Sequence, residues 1–175
     1  MRVLKLTIST LIGVLLLSLP VQPQSRQGPD GAKGLTFDSS RANGRAVNVV
    51  LFRCGRNADG AARCNIETGD TACDRQLPLL CFKDLNSPAP AELEAFGVNW
   101  SGGIVAISAP VVGNQFDTVD DAHRYCLAKF GEGWRVADYH DGGAGPIAAY
   151  GNAGSDPVRV WIDIKTKPGA TCWSR

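Results

Sequence analysis

The chain has 175 residues, with 18 Lys and Arg against 17 Asp and Glu. That length suits one domain rather than two. The balanced charge excludes the basic stripe that phosphate neutralisation needs, so no nucleic-acid partner is predicted. A membrane-surface role is excluded too, because no basic cluster sits with an amphipathic helix.

Residues 1–25, "MRVLKLTISTLIGVLLLSLPVQPQS", open with Arg2 and Lys5, continue as an apolar run and end in Pro, Gln and Ser. Charge, apolar run and polar end in that order predict a secretory signal peptide, and the run is shorter than a bilayer span requires. Its removal takes away two of the 18 cationic side chains and none of the 17 acidic ones, leaving 16 against 17. The mature chain then has no membrane span and is predicted to be secreted or periplasmic. All six cysteines, Cys54, Cys64, Cys73, Cys81, Cys126 and Cys172, follow this segment. An even count behind a signal peptide reads as three disulfides. Zinc is the competing reading, but the first four cysteines lack the close C-x-x-C pairs of zinc modules.

Residues 26–45 are rich in Gly, Ser, Asp and Arg and read as a flexible linker, in which "GPDGAKGLT" holds three Gly-X-Y triplets, too few for a collagen helix. A single domain is predicted over 46–175, beginning with a four-cysteine β region at 46–85. "RAVNVVLFRC" alternates as a strand, with Val47, Val49, Leu51 and Arg53 on one face and Val50 and Phe52 on the other. Asp59-Gly60 suits a tight turn between Cys54 and Cys64, so one bridge can staple a hairpin. "NIETGDTACDRQ" reads as a loop and "LPLLCF" as a buried strand. Cys54–Cys64 with Cys73–Cys81 is the pairing expected first among the three ways to join these four thiols.

A short helix over 89–96 closed by Gly97 is predicted next. The strand "SGGIVAISAPVVG" follows, with Gly102 and Gly103 marking a bulge or close backbone approach, and Pro110 ending it or placing it at an edge. Asn99-Trp100-Ser101 forms a glycosylation sequon, a triplet common by chance. Helix signals peak over 118–131: Thr118 is a good N-cap, Asp120 and Asp121 put negative charge in the first turn, and Gly131 suits the position past the end. Val119, Ala122, His123, Cys126 and Phe130 share one face of that helix, opposite Asp121, Arg124 and Ala128. "WRVADYH" alternates, the Gly-rich stretch 142–154 reads as a surface loop and the first place to seek a ligand, and "PVRVWIDI" puts Val158, Val160, Ile162 and Ile164 on one strand face. "TCW" reads as a terminal strand.

The segments "AHRYC", "FGEGWRVA", "VWIDI" and "TCW" together resemble the framework of C-type-lectin-like domains, over residues 98–175. The resemblance implies an α+β fold, mainly antiparallel β with one or two short helices, and a bridge from the helix cysteine Cys126 to Cys172. It also implies an extracellular protein or glycan as ligand. The sugar-binding members of that family carry a Glu-Pro-Asn or Gln-Pro-Asp triplet, which this chain lacks. Their Trp-Asn-Asp triplet is replaced by Trp161-Ile162-Asp163. One carboxylate cannot supply the six to eight oxygens calcium takes, so no metal or other cofactor is implied.

Asp138, His140, Asp141 and Asp163 are the candidate ligand-binding side chains. A catalytic alternative, a metal-assisted hydrolase, places His123 and His140 together with Asp141 at a reaction centre. No H-E-x-x-H, G-x-S-x-G or phosphate-loop motif supports an enzyme. The function predicted is therefore a non-catalytic binding or surface-interaction module, with the hydrolase and a structural envelope component as alternatives.

Overall fold

A computed structural model describes residues 31–41, 48–94, 98–154 and 157–175. The signal segment and Gly97 lie outside them, as does Val47.

Strands β1 (Lys33–Gly34), β2 (Thr36–Arg41), β3 (Val49–Arg53), β4 (Thr71–Ala72) and β5 (Gln76–Asp84) come first. Helix α1 (Ala91–Glu94), β6 (Trp100–Val112), helix α2 (Val119–Phe130), β7 (Arg135–Val136), β8 (Ile147–Tyr150) and β9 (Arg159–Trp161) complete the order. Seven of the strands form one sheet in the order β6-β8-β3-β2-β9-β5-β7, and a further β5–β6 pairing closes it into a barrel. The β6–β8 and β5–β9 contacts are parallel and the others antiparallel. The ring comprises six of these strands, and the two-residue β7 is paired to β5 outside it.

Alternation along the strands sorts the core. Leu80 and Phe82 of β5 join Leu35, Phe37, Val50, Phe52, Val105, Ile147, Val160 and Ile162 in one interior cluster. Leu79 and Cys81, pointing the other way, pack with Val119, Ala122, Cys126, Val136, Trp161 and Trp173 in a second cluster under α2. A strand buried on both faces reads as an unbroken apolar run, which is why "LPLLCF" shows no alternation. The predicted Val160, Ile162 and Ile164 face does lie inside, at 0%, 1% and 1% exposure, but its back face is buried as well.

The predicted helix forms with its cap. Thr118 accepts from the Asp121 amide while the Asp121 carboxylate accepts from the Thr118 amide, and the Gly131 amide donates to the Leu127 carbonyl. Val119, Ala122 and Cys126 are its buried residues, as the helical period requires. The Asp59-Gly60 hairpin forms too: Arg56 pairs with Ala62 and the Gly60 amide donates to the Asn57 carbonyl.

Gly103 marks a close approach of β6 to β5, since a Cβ there would meet the Lys83 carbonyl and the Phe82 ring. Pro110 does not end its strand. It faces Pro78 across the β5–β6 ladder, next to a register shift between Pro78 and Leu80. Two prolines opposite one another withdraw two donors from one place, and the Ser108 hydroxyl repairs the irregularity by accepting from the Leu79 amide at 2.9 Å.

Several expectations are corrected. Within the predicted linker 26–45, residues 33–41 form β1 and β2, and Leu35 and Phe37 are core residues at 0% and 2% exposure. Ladder pairing with β3 and β9 recruits this polar-looking segment, because only every second side chain needs to be apolar. Within the predicted loop 142–154, Ile147–Tyr150 form β8, inserted between β3 and β6. Its small residues Ala148 and Ala149 are fully buried. The predicted loop around Cys73 contains β4, the predicted helix over 89–96 appears as α1 with its residues 95–96 outside the described ones, and "TCW" lies beyond the last 3-10 turn rather than in a strand.

The bridges are Cys54–Cys64, Cys73–Cys172 and Cys81–Cys126. The first is among the open pairings. The expected Cys73–Cys81 bridge is replaced, and so is the Cys126–Cys172 bridge implied by the lectin-type resemblance. Cys126 faces β5, where Cys81 is its buried neighbour, whereas Cys172 lies beside the segment that carries Cys73.

Candidate functional site

The polar residues singled out in the sequence converge on the turn after β7. Asp138 caps a 3-10 turn over Tyr139–Gly142, accepting from the His140 amide at 2.9 Å. Its carboxylate also meets His140 Nδ1 at 2.7 Å and accepts from the Lys165 amide at 2.8 Å. Asp141 accepts from the Asp138 amide at 2.8 Å and takes two guanidinium bonds from Arg135, at 2.9 and 2.5 Å. Burial alone would lower the Arg135 pKa, but the hydrogen bond and charge of Asp141 outweigh it and raise it. Arg135 also lies over the Phe82 ring at 5.0 Å.

Asp163, 3% exposed, is held by the Arg175 guanidinium at 2.6 and 2.7 Å. These carboxylates therefore already hold partners that compensate their burial. They fasten the β7 turn and the chain end to the barrel, which is a structural task.

The two histidines take separate partners. His123 Nδ1 accepts from the Val136 amide at 3.2 Å, so the imidazole joins α2 to β7 in its neutral form. Burial is the largest cause lowering its pKa, with the Arg135 and Arg175 charges adding to it against Asp163 and Asp120. His140 is held by Asp138 and sits 3.4 Å from the Thr166 hydroxyl through Nε2. Asp141 is occupied by Arg135 rather than by either imidazole. Among the described residues, no group of three His, Cys, Asp or Glu side chains is placed to hold a metal ion. His123 and His140 thus have different hydrogen-bond partners, the Val136 amide and the Asp138 carboxylate.

A concavity lies beside this turn, where β3 runs into the stapled hairpin. It is a cleft of about 450 Å³, lined by Phe37, Asp38 and Ser39 of β2, Arg53–Arg56, Cys64, Ile66, Tyr139, Gly145 and Pro146. Its volume falls in the range of small-molecule sites, about 300–1,000 Å³. The apolar lining continues the interior cluster, against which Cys54, Cys64, Ile66 and Tyr139 pack. Phe37 and Tyr139 meet edge to face with centroids 6.0 Å apart, and the Tyr139 hydroxyl donates to the Ala144 carbonyl at 3.0 Å.

Gly55 keeps the rim in place. A Cβ there would collide with the Asp38 carboxylate, which forms an ion pair with Arg63 at 3.1 Å. Of the Gly-rich stretch 142–154, only Gly145 and Pro146 reach the cleft. Sequence reasoning missed Phe37, Ile66, Tyr139, Arg53 and Arg56 as neighbours. They come from four separate stretches, and the one local signal was the hairpin that brings Arg53–Arg56 and Cys64 together.

No protein-family model, no curated protein sequence and no solved structure matches this chain. Fold and site geometry are thus the basis for its class: a disulfide-stabilised, closed β-barrel-like domain with, among the described residues, one flanking multi-turn helix.

Proposed function

We propose that this is a non-catalytic binding module of the secreted or periplasmic space, and that it binds through the cleft between β2, the stapled hairpin and the β7 turn. The observation that carries this reading is the cleft itself: a concavity of about 450 Å³, lined in part by Phe37, Ile66 and Tyr139, on a barrel scaffold closed by hydrogen bonding. Concave, mostly apolar sites with a few polar groups are the usual form of ligand sites. Three disulfides support an oxidising compartment. No helix among the described residues is long and apolar enough to cross a membrane.

The hydrolase alternative loses support because its histidines and carboxylate are engaged separately. The ligandless envelope component loses support because the loop face carries a concavity. The lectin-type likeness does not enter the reading, since its bridge between Cys126 and Cys172 does not form.

Protein-observed NMR with a mixed fragment library tests the reading. Amide shifts should cluster at Phe37, Cys54, Ile66 and Tyr139, and an Ile66→Trp variant, which fills the cleft, should abolish them. Scattered shifts that survive Ile66→Trp would remove the cleft as the site. Stoichiometric zinc in purified protein, lost in a His123→Ala/His140→Ala variant, would turn the reading towards the hydrolase.

A further inference from the structure

We infer that the cleft takes a small organic anion, a carboxylate or similar group on an apolar body; this rests on the binding-module reading above. Asp38 is matched by Arg63, Asp70 by Arg159 and Glu67 by Lys167. Asp59, at the hairpin tip, turns its carboxylate onto the Ala61 amide. Asp38, the one acid in the lining, is therefore already neutralised. The lining also contains two guanidinium residues, Arg53 and Arg56.

Arg56 spends one donor on the Gly60 carbonyl at 2.7 Å, and a guanidinium has five. Arg53 is exposed and, among the described residues, its side chain has neither an ion pair nor a hydrogen bond. It stands directly opposite Asp38 in the β2–β3 register, yet Asp38 pairs with Arg63 instead. Among the described residues, the unmatched charge in the cleft lining is positive.

The polar rim offers little else. Ser39 Oγ is engaged in accepting from the Val158 amide at 2.8 Å, and the Tyr139 hydroxyl is engaged with Ala144. What is left is guanidinium beside Phe37, Ile66, Tyr139, Pro146 and the Cys54–Cys64 bridge. Guanidinium is the side chain suited to planar, two-point recognition of carboxylate, and an adjoining apolar surface favours ligands with a hydrophobic body. A cationic ligand would find no unpaired carboxylate in the lining.

Titration of the labelled, fully oxidised protein with 3-phenylpropionate, its neutral amide and 3-phenylpropylamine separates these terms. The carboxylate should shift the cleft amides with a Kd about tenfold below that of the amide or the amine. Arg53→Gln/Arg56→Gln should bring the carboxylate to within about twofold of the amide, both measured in the same variant. Equal affinities for carboxylate and amide, or a preference for the amine, would overturn the anion assignment and leave the binding cleft standing. Acetate binding as tightly as 3-phenylpropionate would overturn the apolar part. Cleft amides unmoved by any of the three aromatic probes at about 10 mM would overturn both this inference and the binding reading on which it rests.

Discussion

On the side of the barrel covered by α2, a buried layer of Leu79, Val119, Ala122, Cys126, Val136, Trp161 and Trp173 is crossed by Cys81–Cys126, and Cys73–Cys172 ties in the chain end. At the cleft, the stapled hairpin 54–64 carries one local bridge, and most of its residues are exposed. One region is held by area removed from water and by long covalent loops, the other by a short loop and ion pairs near solvent. The difference teaches where variation is tolerated. A rim with little packing of its own can change side chains without disturbing the core that positions it.

The largest expected contrast is among the bridges. On the chain-entropy model, a bridge between residues 99 apart contributes about 4.7 kcal/mol and one between residues 45 apart about 4 kcal/mol, against about 3 kcal/mol at a separation of 10. Urea denaturation of the three double Cys→Ser variants should rank Cys73/Cys172 as most damaging and Cys54/Cys64 as least. In the Cys54/Cys64 variant, slow amide exchange in β5 and β9 should persist. Equal losses would mean that the hairpin is part of the cooperative core.

Trp161→Ala should cost about 3–5 kcal/mol, because the indole is 1% exposed between β9 and α2. Ile66→Ala, at the half-buried cleft, should cost about 1 kcal/mol, and the same denaturation curves give both values. A loss at Ile66 as large as that at Trp161 would erase the distinction between the regions.

Ser108→Ala strands the Leu79 amide at the paired prolines and should cost about 1–3 kcal/mol. Restoration by Ser108→Thr would locate the effect in the hydroxyl.

The smallest effect is pH-dependent. His123 has its pKa lowered from 6.5 mainly by burial, so the unfolded chain takes up a proton before the folded one does. Stability should therefore fall as pH drops below 6.5 towards the lowered folded value, and it should be insensitive to this group above 6.5. His123→Gln should flatten that slope in melts run between those values. An unchanged slope would assign the acid sensitivity to other groups.

Local signals are legible where local chemistry governs the outcome. Thr118, Asp121 and Gly131 bound α2 because a cap satisfies groups within one turn of itself. The hairpin at Asp59-Gly60 and its Cys54–Cys64 staple form within one short loop. The strands at β3, β5, β6 and β9 are visible as apolar runs.

The misses share a cause. Strand β2 carries a Thr, an Asp and two Ser among its six residues, and β8 is two alanines between Ile147 and Tyr150. Neither shows a pattern of its own, and each is a strand because its ladder partners are in place.

The six thiols, the capped helix and the stapled turn were legible in the sequence alone. Each follows from residue count or from contacts spanning a few positions. Tertiary structure alone decided which thiols pair across the barrel, that β5 closes onto β6, and that Phe37, Arg53, Ile66 and Tyr139 surround one cleft. Those outcomes depend on bringing distant segments together. Burial of apolar faces over the whole chain drives that step, and no single segment encodes it.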